Sequence, residues 1–247
     1  MRVDILTLFP QMFSALNHSI VGKAQDKKAL SLYCHNLRDF SANKHGTVDD
    51  TPYGGEAGMV LQAEPIKTAI STISKESLPD QKPHMLYLCP QGKIFDQKKA
   101  KELAKRQNIL IICGHYKGID ERIREKYVDE EISVGDFVLT GGEIPAMVLV
   151  DSVARLLPGV LGGPSSMETD SFYEDGRLGW PVYTRPETFE GNSVPEVLMS
   201  GNHEKIRQWQ ILQGLKETRS KRPDLWESLQ LNEEEKILLS RDGSKEK

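Results

Sequence analysis

Three glycine-bearing segments follow short apolar runs and could carry chemistry. They are Tyr87-Leu88-Cys89-Pro90-Gln91-Gly92, Cys113-Gly114-His115-Tyr116-Lys117-Gly118-Ile119-Asp120, and Val134-Gly135-Asp136-Phe137-Val138-Leu139-Thr140-Gly141-Gly142. Glycine after a strand lets backbone amides and carbonyls come close to a bound molecule, while Leu88, Val134, Phe137 and Leu139 offer apolar faces that could sandwich a flat base. Neither G-x-x-x-x-G-K-S/T nor a G-x-G-x-x-G between strand and helix occurs, so the usual phosphate cradles are missing. Adenine in a phosphate-free cofactor fits such loops. Taken one at a time, each glycine reads more simply as a turn of the chain after a strand. No Ser/His or Cys/His constellation for nucleophilic catalysis accompanies them.

The elements that must position these loops read as an α/β domain with a largely parallel sheet. Apolar, β-branched runs at Val3–Leu8, Met85–Cys89, Ile109–Cys113 and Ile132–Val134 alternate with helical segments such as Gln97–Arg106. In open α/β sheets ligands sit beyond the carboxyl ends of strands, where these loops fall. The pattern predicts a buried helix over Ile144–Leu157, with Pro145 in its first turn and Pro158-Gly159 stopping it. Five glycines between Gly159 and Pro186 break any periodicity, which predicts an interdomain linker or lid over 161–186. The reading is therefore a catalytic domain over 1–160 and a small helical domain over 187–247. Its helical stretch runs from Pro195 to Leu229, with an apolar stripe of Ile206, Trp209, Leu212 and Leu215. Trp209 reads as core rather than as a stacking platform, and the charged tail Arg241–Lys247 as frayed.

Composition narrows the class. With 38% hydrophobic and 28% charged residues and no long apolar run, the chain is not a membrane protein. The acid at Asp4 within the first apolar stretch argues against a secretory signal, which points to the cytoplasm. Cys34, Cys89 and Cys113 lack metal-ligand spacing and read as reduced core residues, and no metal site is expected. A net charge of −4 disfavours nonspecific coating of nucleic acid. Locally the balance reverses: Gly201–Pro223 holds six basic residues (Lys205, Arg207, Lys216, Arg219, Lys221, Arg222) against Glu204 and Glu217. Such a stretch could hold backbone phosphates or be a solvated helix face.

Read together, the segments resemble the bacterial tRNA (guanine-N1)-methyltransferase family of the SPOUT class. The likeness runs through Leu8-Phe9-Pro10-Gln11-Met12-Phe13, Asn36-Leu37-Arg38-Asp39-Phe40, Thr47-Val48-Asp49-Asp50-Thr51-Pro52-Tyr53-Gly54-Gly55 and Gly114-His115-Tyr116-Lys117-Gly118-Ile119-Asp120-Glu121-Arg122. It continues through Ser133 to Glu143, Asp170-Ser171-Phe172, Tyr183-Thr184-Arg185-Pro186-Glu187 and Pro195 to Gly201. The resemblance implies a SPOUT-type parallel sheet with a deep trefoil knot, a rare exception to chain topology. It also implies a homodimer with a shared active site. The activity implied is transfer of a methyl group from S-adenosylmethionine to N1 of guanine 37, 3′ of the anticodon in tRNA, with a suggested role for Mg2+.

By match of motif, Tyr87, Leu88, Pro90, Gly114, Tyr116, Val134, Gly135, Phe137, Leu139, Gly141, Gly142 and Pro145 would line the cofactor pocket. The catalytic aspartate falls on Asp170 and its supporting arginine on Arg155. Asp49 and Arg185 match positions associated with the anticodon stem-loop, and Lys205, Arg207, Lys216 and Arg219 supply the phosphate-facing charge.

These residue types suit that reaction. Guanine N1 holds a proton at neutral pH, which a carboxylate can take as the methyl arrives, and charge then moves onto O6, where a guanidinium can stabilise it. On residue type alone Asp170 reads as a loop cap, and Arg155 as an intrahelical partner of Asp151.

Two positions depart from the family pattern. Lys117 stands where glutamate is usual, and Glu56-Ala57 where Gly-Pro is expected. A noncatalytic RNA-binding protein of the same fold, or a SPOUT methyltransferase acting on another RNA, are the alternatives.

Overall fold

The computed structural model describes residues 1–77, 82–162, 169–173 and 176–243. Its contacts divide the chain into two compact units, Met1–Gly162 and Gly163–Lys247.

In the first unit the apolar runs become strands β1 (Arg2–Thr7), β5 (His84–Ile94), β6 (Asn108–Cys113) and β7 (Glu130–Ser133). A further strand, β2 (Ser31–Asn36), was not predicted. The sheet order is β2-β1-β6-β5-β7, every pair parallel. A parallel sheet needs both faces covered. Here α1 (Ser19–Asp26), α3 (Gln97–Leu103) and α5 (Glu143–Ala154) lie on one face, with α2 (Ala63–Glu76) and α4 (Glu121–Tyr127) on the other. The period-two alternation of strands sorts the side chains accordingly. Ile109 and Ile111 join the α1/α3/α5 core, while Leu110 and Ile112 join the α2/α4 core. A small antiparallel pair, β3 (Asp49–Asp50) and β4 (Val60–Leu61), brackets the loop between them.

β5 is longer than predicted because it pairs with β7 twice. Ile132 faces both Leu88 and Lys93, so the residues between them bulge out of the ladder. Gly92 makes this possible: a Cβ there would lie 2.4 Å from the Ile132 nitrogen.

α5 corrects the expectation of a wholly buried helix. Ala146, Leu149, Val150 and Val153 are buried, yet Ile144 and Val148 are 46% and 45% exposed. Ile144, Val148, Asp151 and Arg155 follow helical spacing and form one outward stripe. The helix ends at Ala154, with the Arg155 N–H donating to the Asp151 carbonyl at 3.3 Å.

In the second unit, the hairpin β8 (Thr188–Phe189) and β9 (Asn192–Ser193) precedes α6 (Glu196–Met199), α7 (His203–Lys221), α8 (Pro223–Ser228) and α9 (Glu233–Gly243). The predicted long helix is thus broken, since Gly201 (φ +67) and then Pro223 interrupt it. Asn202 caps α7 by accepting from Lys205 N–H. Reciprocal bonds between Asn232 and Glu235 cap α9.

Part of the predicted linker over 161–186 is drawn into this unit. The Leu178 N–H donates to Thr218 Oγ1 at 2.9 Å, and the close approach requires Gly214, whose Cβ would lie 2.9 Å from the Leu178 carbonyl oxygen. Residues 163–168 and 174–175 of the linker, and 244–247 of the tail, lie outside the described residues.

Candidate cofactor-binding site

At the carboxyl ends of β5, β6 and β7 the three glycine-bearing loops enclose a cavity of about 410 Å³, within the ~300–1,000 Å³ range of small-molecule sites. The β5 bulge supplies Leu88, Cys89, Pro90 and Gln91, the loop after β6 supplies Gly114 to Ile119, and the loop after β7 supplies Val134, Gly135 and Phe137 to Gly141. Pro145, in the first turn of α5, closes one side.

Backbone proximity explains the glycines. A Cβ on Gly114 would lie 2.8 Å from the Tyr87 hydroxyl, and one on Gly135 (φ +149) would meet the Phe137 ring at 2.4 Å. The second and third loops are fastened together: the Gly142 N–H donates to the Gly114 carbonyl at 2.8 Å, and His115 bridges Gly141. Gly142 therefore braces the loops without lining the cavity. The other eleven predicted cofactor residues all line it.

The lining mixes apolar surface with fixed polar groups. Phe137 and Val138 are 55% and 84% exposed, an unusual presentation of apolar surface at a concave site. Tyr87 is buried, which pushes its phenol up to about 12 and keeps it protonated. Arg124 of α4 lies over the Tyr87 ring at 5.6 Å and donates to Glu131 and Gln91. Its bonds to Glu131 hold that carboxyl below its ordinary range. The buried Nδ1 of His115 has no hydrogen-bond partner in the structure. These features suit a base and polar tail: adenine needs flat apolar walls and backbone donors, and no phosphate cradle is required.

Sequence reasoning missed Arg124, which enters from a helix rather than from a strand-end loop. It also missed His115 and Val138 as lining residues, although both stand inside segments it had singled out. Among the described residues, no cluster of three or more His, Cys, Asp or Glu could hold a metal ion, and no helix is long and apolar enough to cross a membrane.

The remaining predicted residues lie elsewhere. Arg155 is off the cavity, ten residues beyond Pro145 and so about 15 Å along the helix axis. Asp170 belongs to the second unit, where its carbonyl accepts from the Tyr173 N–H and Ser171 Oγ accepts from the Gly179 N–H. Asp49 is half-buried on β3, its carbonyl accepting from Gln62. Arg185 is exposed.

The expected basic face of α7 is largely neutralised, by Glu204 and Glu217 within the stretch and by Asp224, Glu234 and Asp242 beyond it. Arg207 pairs with Glu204 and Glu234, Lys216 with Asp242, Lys221 with Glu217, and Arg222 with Asp224. Lys205 is exposed with no ion-pair partner among the described residues, and Arg219 lies over the Trp226 ring at 5.8 Å. Trp209 is half-buried against Tyr183.

Residues 1–228 match the family model described as tRNA (Guanine-1)-methyltransferase TrmD. The chain is 54% identical to a tRNA (guanine-N(1)-)-methyltransferase of Anoxybacillus flavithermus, covering 96% of each protein. It is 52% identical to the protein of that name from Clostridium novyi over 97% of each. Among solved structures it resembles the crystal structure of tRNA (m1G37) methyltransferase from Aquifex aeolicus with a TM-score of 0.74 and 42% identity, over 91% of this chain and 94% of that one.

Proposed function

Because the chain belongs to the tRNA (guanine-1)-methyltransferase family, we propose that it transfers a methyl group from S-adenosylmethionine to N1 of guanine 37 in tRNA. The observation that carries this is the joining of three strand-end loops, crowded by Gly114, Gly135 and Gly141, into one cavity of cofactor size.

When bound, S-adenosylmethionine would supply an activated sulfonium methyl, its S–CH3 bond breaking to leave the neutral thioether S-adenosylhomocysteine. The chain's own work is to hold, orient and move a proton. The β5 bulge and the loop after β7 present apolar walls and backbone groups to the adenosine, and Tyr87 and Arg124 stiffen the floor. Asp170 accepts the proton leaving guanine N1, freeing the lone pair that forms the new N–C bond. Arg155 faces the negative charge that develops on O6. No enzyme nucleophile is needed, since alignment supplies much of the rate gain.

Asp170 and Arg155 act in a homodimer. The half-exposed Ile144 and Val148 share a helix stripe with Arg155, so a second copy covering that stripe encloses the arginine. In this reading the first unit carries the deep knot of the SPOUT class and the segment over 161–186 is the lid that delivers Asp170. The second unit grips the anticodon stem-loop through Arg185, Lys205, Arg207, Lys216 and Arg219, with Asp49 contributing from the first. Mg2+ and a cytoplasmic setting complete the reading and rest on the family resemblance.

Tritiated methyl transfer to tRNA transcripts, comparing wild type with Asp170→Asn, tests it. Turnover in the variant falls by about 10²-fold or more while cofactor affinity is retained. A variant with unchanged turnover removes Asp170 from the base role, and a wild type that binds tRNA but transfers no methyl supports a noncatalytic RNA-binding protein.

A further inference from the structure

The two departures from the family pattern meet in space. Lys117, which lines the cavity, donates from Nζ to Glu56 Oε2 at 2.5 Å. Glu56 sits in the loop between β3 and β4, 61 residues earlier in the chain. That loop has few other anchors. Tyr53 is fully exposed, Gly54 (φ +94) and Gly55 (φ +78) have nothing within 4 Å of where a Cβ would be, and Glu56 itself is mostly exposed. Its far end rests on the same lysine. A Cβ on Gly58 would meet the Lys117 stem at 3.2 to 3.5 Å, and the Lys117 N–H donates to the Met59 carbonyl at 3.0 Å. The next residues are zipped to the cofactor loop, Leu61 N–H donating to the Gly118 carbonyl and Asp120 N–H to the Leu61 carbonyl.

A loop with glycine freedom at both ends and a single charged anchor takes its position from that anchor. From this we infer that Glu56 is a positioning residue for the cofactor site: through its ion pair with Lys117 it clasps the Tyr53–Gly58 loop onto the wall of the cavity and slows escape of the bound methyl donor. The inference rests on the cavity being the S-adenosylmethionine site. Lys117 holds the Glu56 carboxyl below its ordinary range, so the clasp stays ionised at physiological pH. Because both partners are solvent-accessible, the clasp is weak and screened by salt.

Calorimetric titration with S-adenosylhomocysteine tests this on the full-length protein. The proteins are wild type, Glu56→Gln, Lys117→Met, the double variant and the exchanged pair Glu56→Lys/Lys117→Glu, each first shown to have a wild-type melting temperature. Either single change weakens binding by about two- to fivefold at low salt, as expected for an exposed pair. The double variant is no worse than the singles, the exchanged pair recovers most of the loss, and at about 0.5 M salt the differences disappear.

Additive losses, or an exchanged pair as weak as the double variant, would overturn the clasp and leave Lys117 acting directly on the ligand. Binding equal in all five proteins also overturns it, while leaving the site intact. A wild type with no affinity for S-adenosylhomocysteine overturns the site reading, and the clasp with it.

Discussion

The hydroxyl of Thr7 donates to Glu143 Oε1 at 2.8 Å, tying the last residue of β1 to the first residue of α5 across 136 positions of chain. Both side chains are buried, and Thr7 Oγ1 also accepts from the Phe9 N–H at 2.9 Å. The other carboxylate oxygen, Oε2, fills the space where a Cβ on Gly141 would stand. This one bond fixes the helix start against the sheet and so fixes the glycine turn at the cavity. Thr7→Val keeps the shape, removes the donor to Glu143 and the acceptor for Phe9, and leaves buried polar groups unpaired. A loss of about 1–3 kcal/mol in urea unfolding is expected, with weaker cofactor binding; equal stability would show that the bond carries no net weight.

Gly114→Ala targets the cavity more sharply. The new methyl would sit 2.8 Å from the Tyr87 hydroxyl and 2.9 Å from its ring, and that ring is held between the sheet and Arg124. Overpacking of this kind is expected to weaken cofactor binding by about tenfold or more, read by calorimetry on protein with an unchanged circular dichroism spectrum. Binding within about twofold of wild type would contradict the close-approach account.

Acid sensitivity should be traceable to Asp4, fully buried on β1. Burial opposes its charge, but bonds from His35 at 2.8 Å and from Arg2 at 2.7 and 2.9 Å outweigh that and hold its pKa below the ordinary 3.8. Its stabilisation is therefore complete above the unfolded-state value and is lost as pH falls through the lower folded-state value. Asp4→Asn should cost about 3 kcal/mol near neutrality, with the gap to wild type closing in unfolding curves taken below pH 3.8. A gap independent of pH would mean that Asp4 contributes by packing alone.

Burial raises all three thiols, Cys34 to about 11, Cys89 above its ordinary value and Cys113 further still. Native protein at pH 8 should react slowly with a thiol reagent compared with protein in denaturant. Cys89 lines the cavity and is only half-buried, so it should react ahead of Cys113, and S-adenosylhomocysteine should protect it. Labelling of Cys89 at the same rate with and without the ligand would place the cofactor elsewhere.

The parallel sheet was legible because Ile109 to Cys113 is a continuous apolar run and Val3 to Leu6 is interrupted only by Asp4, the signature of strands buried on both faces. β2 was not, since Ser31-Leu32-Tyr33-Cys34-His35-Asn36 is a half-exposed edge whose mixed side chains hide the period. The cavity loops were legible from glycines at strand ends, whereas Arg124 was hidden because nothing local distinguishes it from other surface arginines of an amphipathic helix. The basic stretch on α7 looked more exposed in sequence than in space, since Glu234 and Asp242, which pair with Arg207 and Lys216, lie beyond the window that was counted. Likewise Glu56 and Lys117 read as two unrelated departures until the chain brought them to one hydrogen bond.

The most direct test is the chemical identity of the product. Transcripts of a tRNA with guanine at position 37, and the same tRNA with adenine there, are incubated with the protein and S-adenosylmethionine, digested to nucleosides and analysed by mass spectrometry against authentic standards. N1-methylguanosine from the first transcript and no methylated nucleoside from the second is the predicted result. A methyl group on another atom, another nucleoside or a ribose hydroxyl, or methylation that survives loss of the guanine, would contradict it.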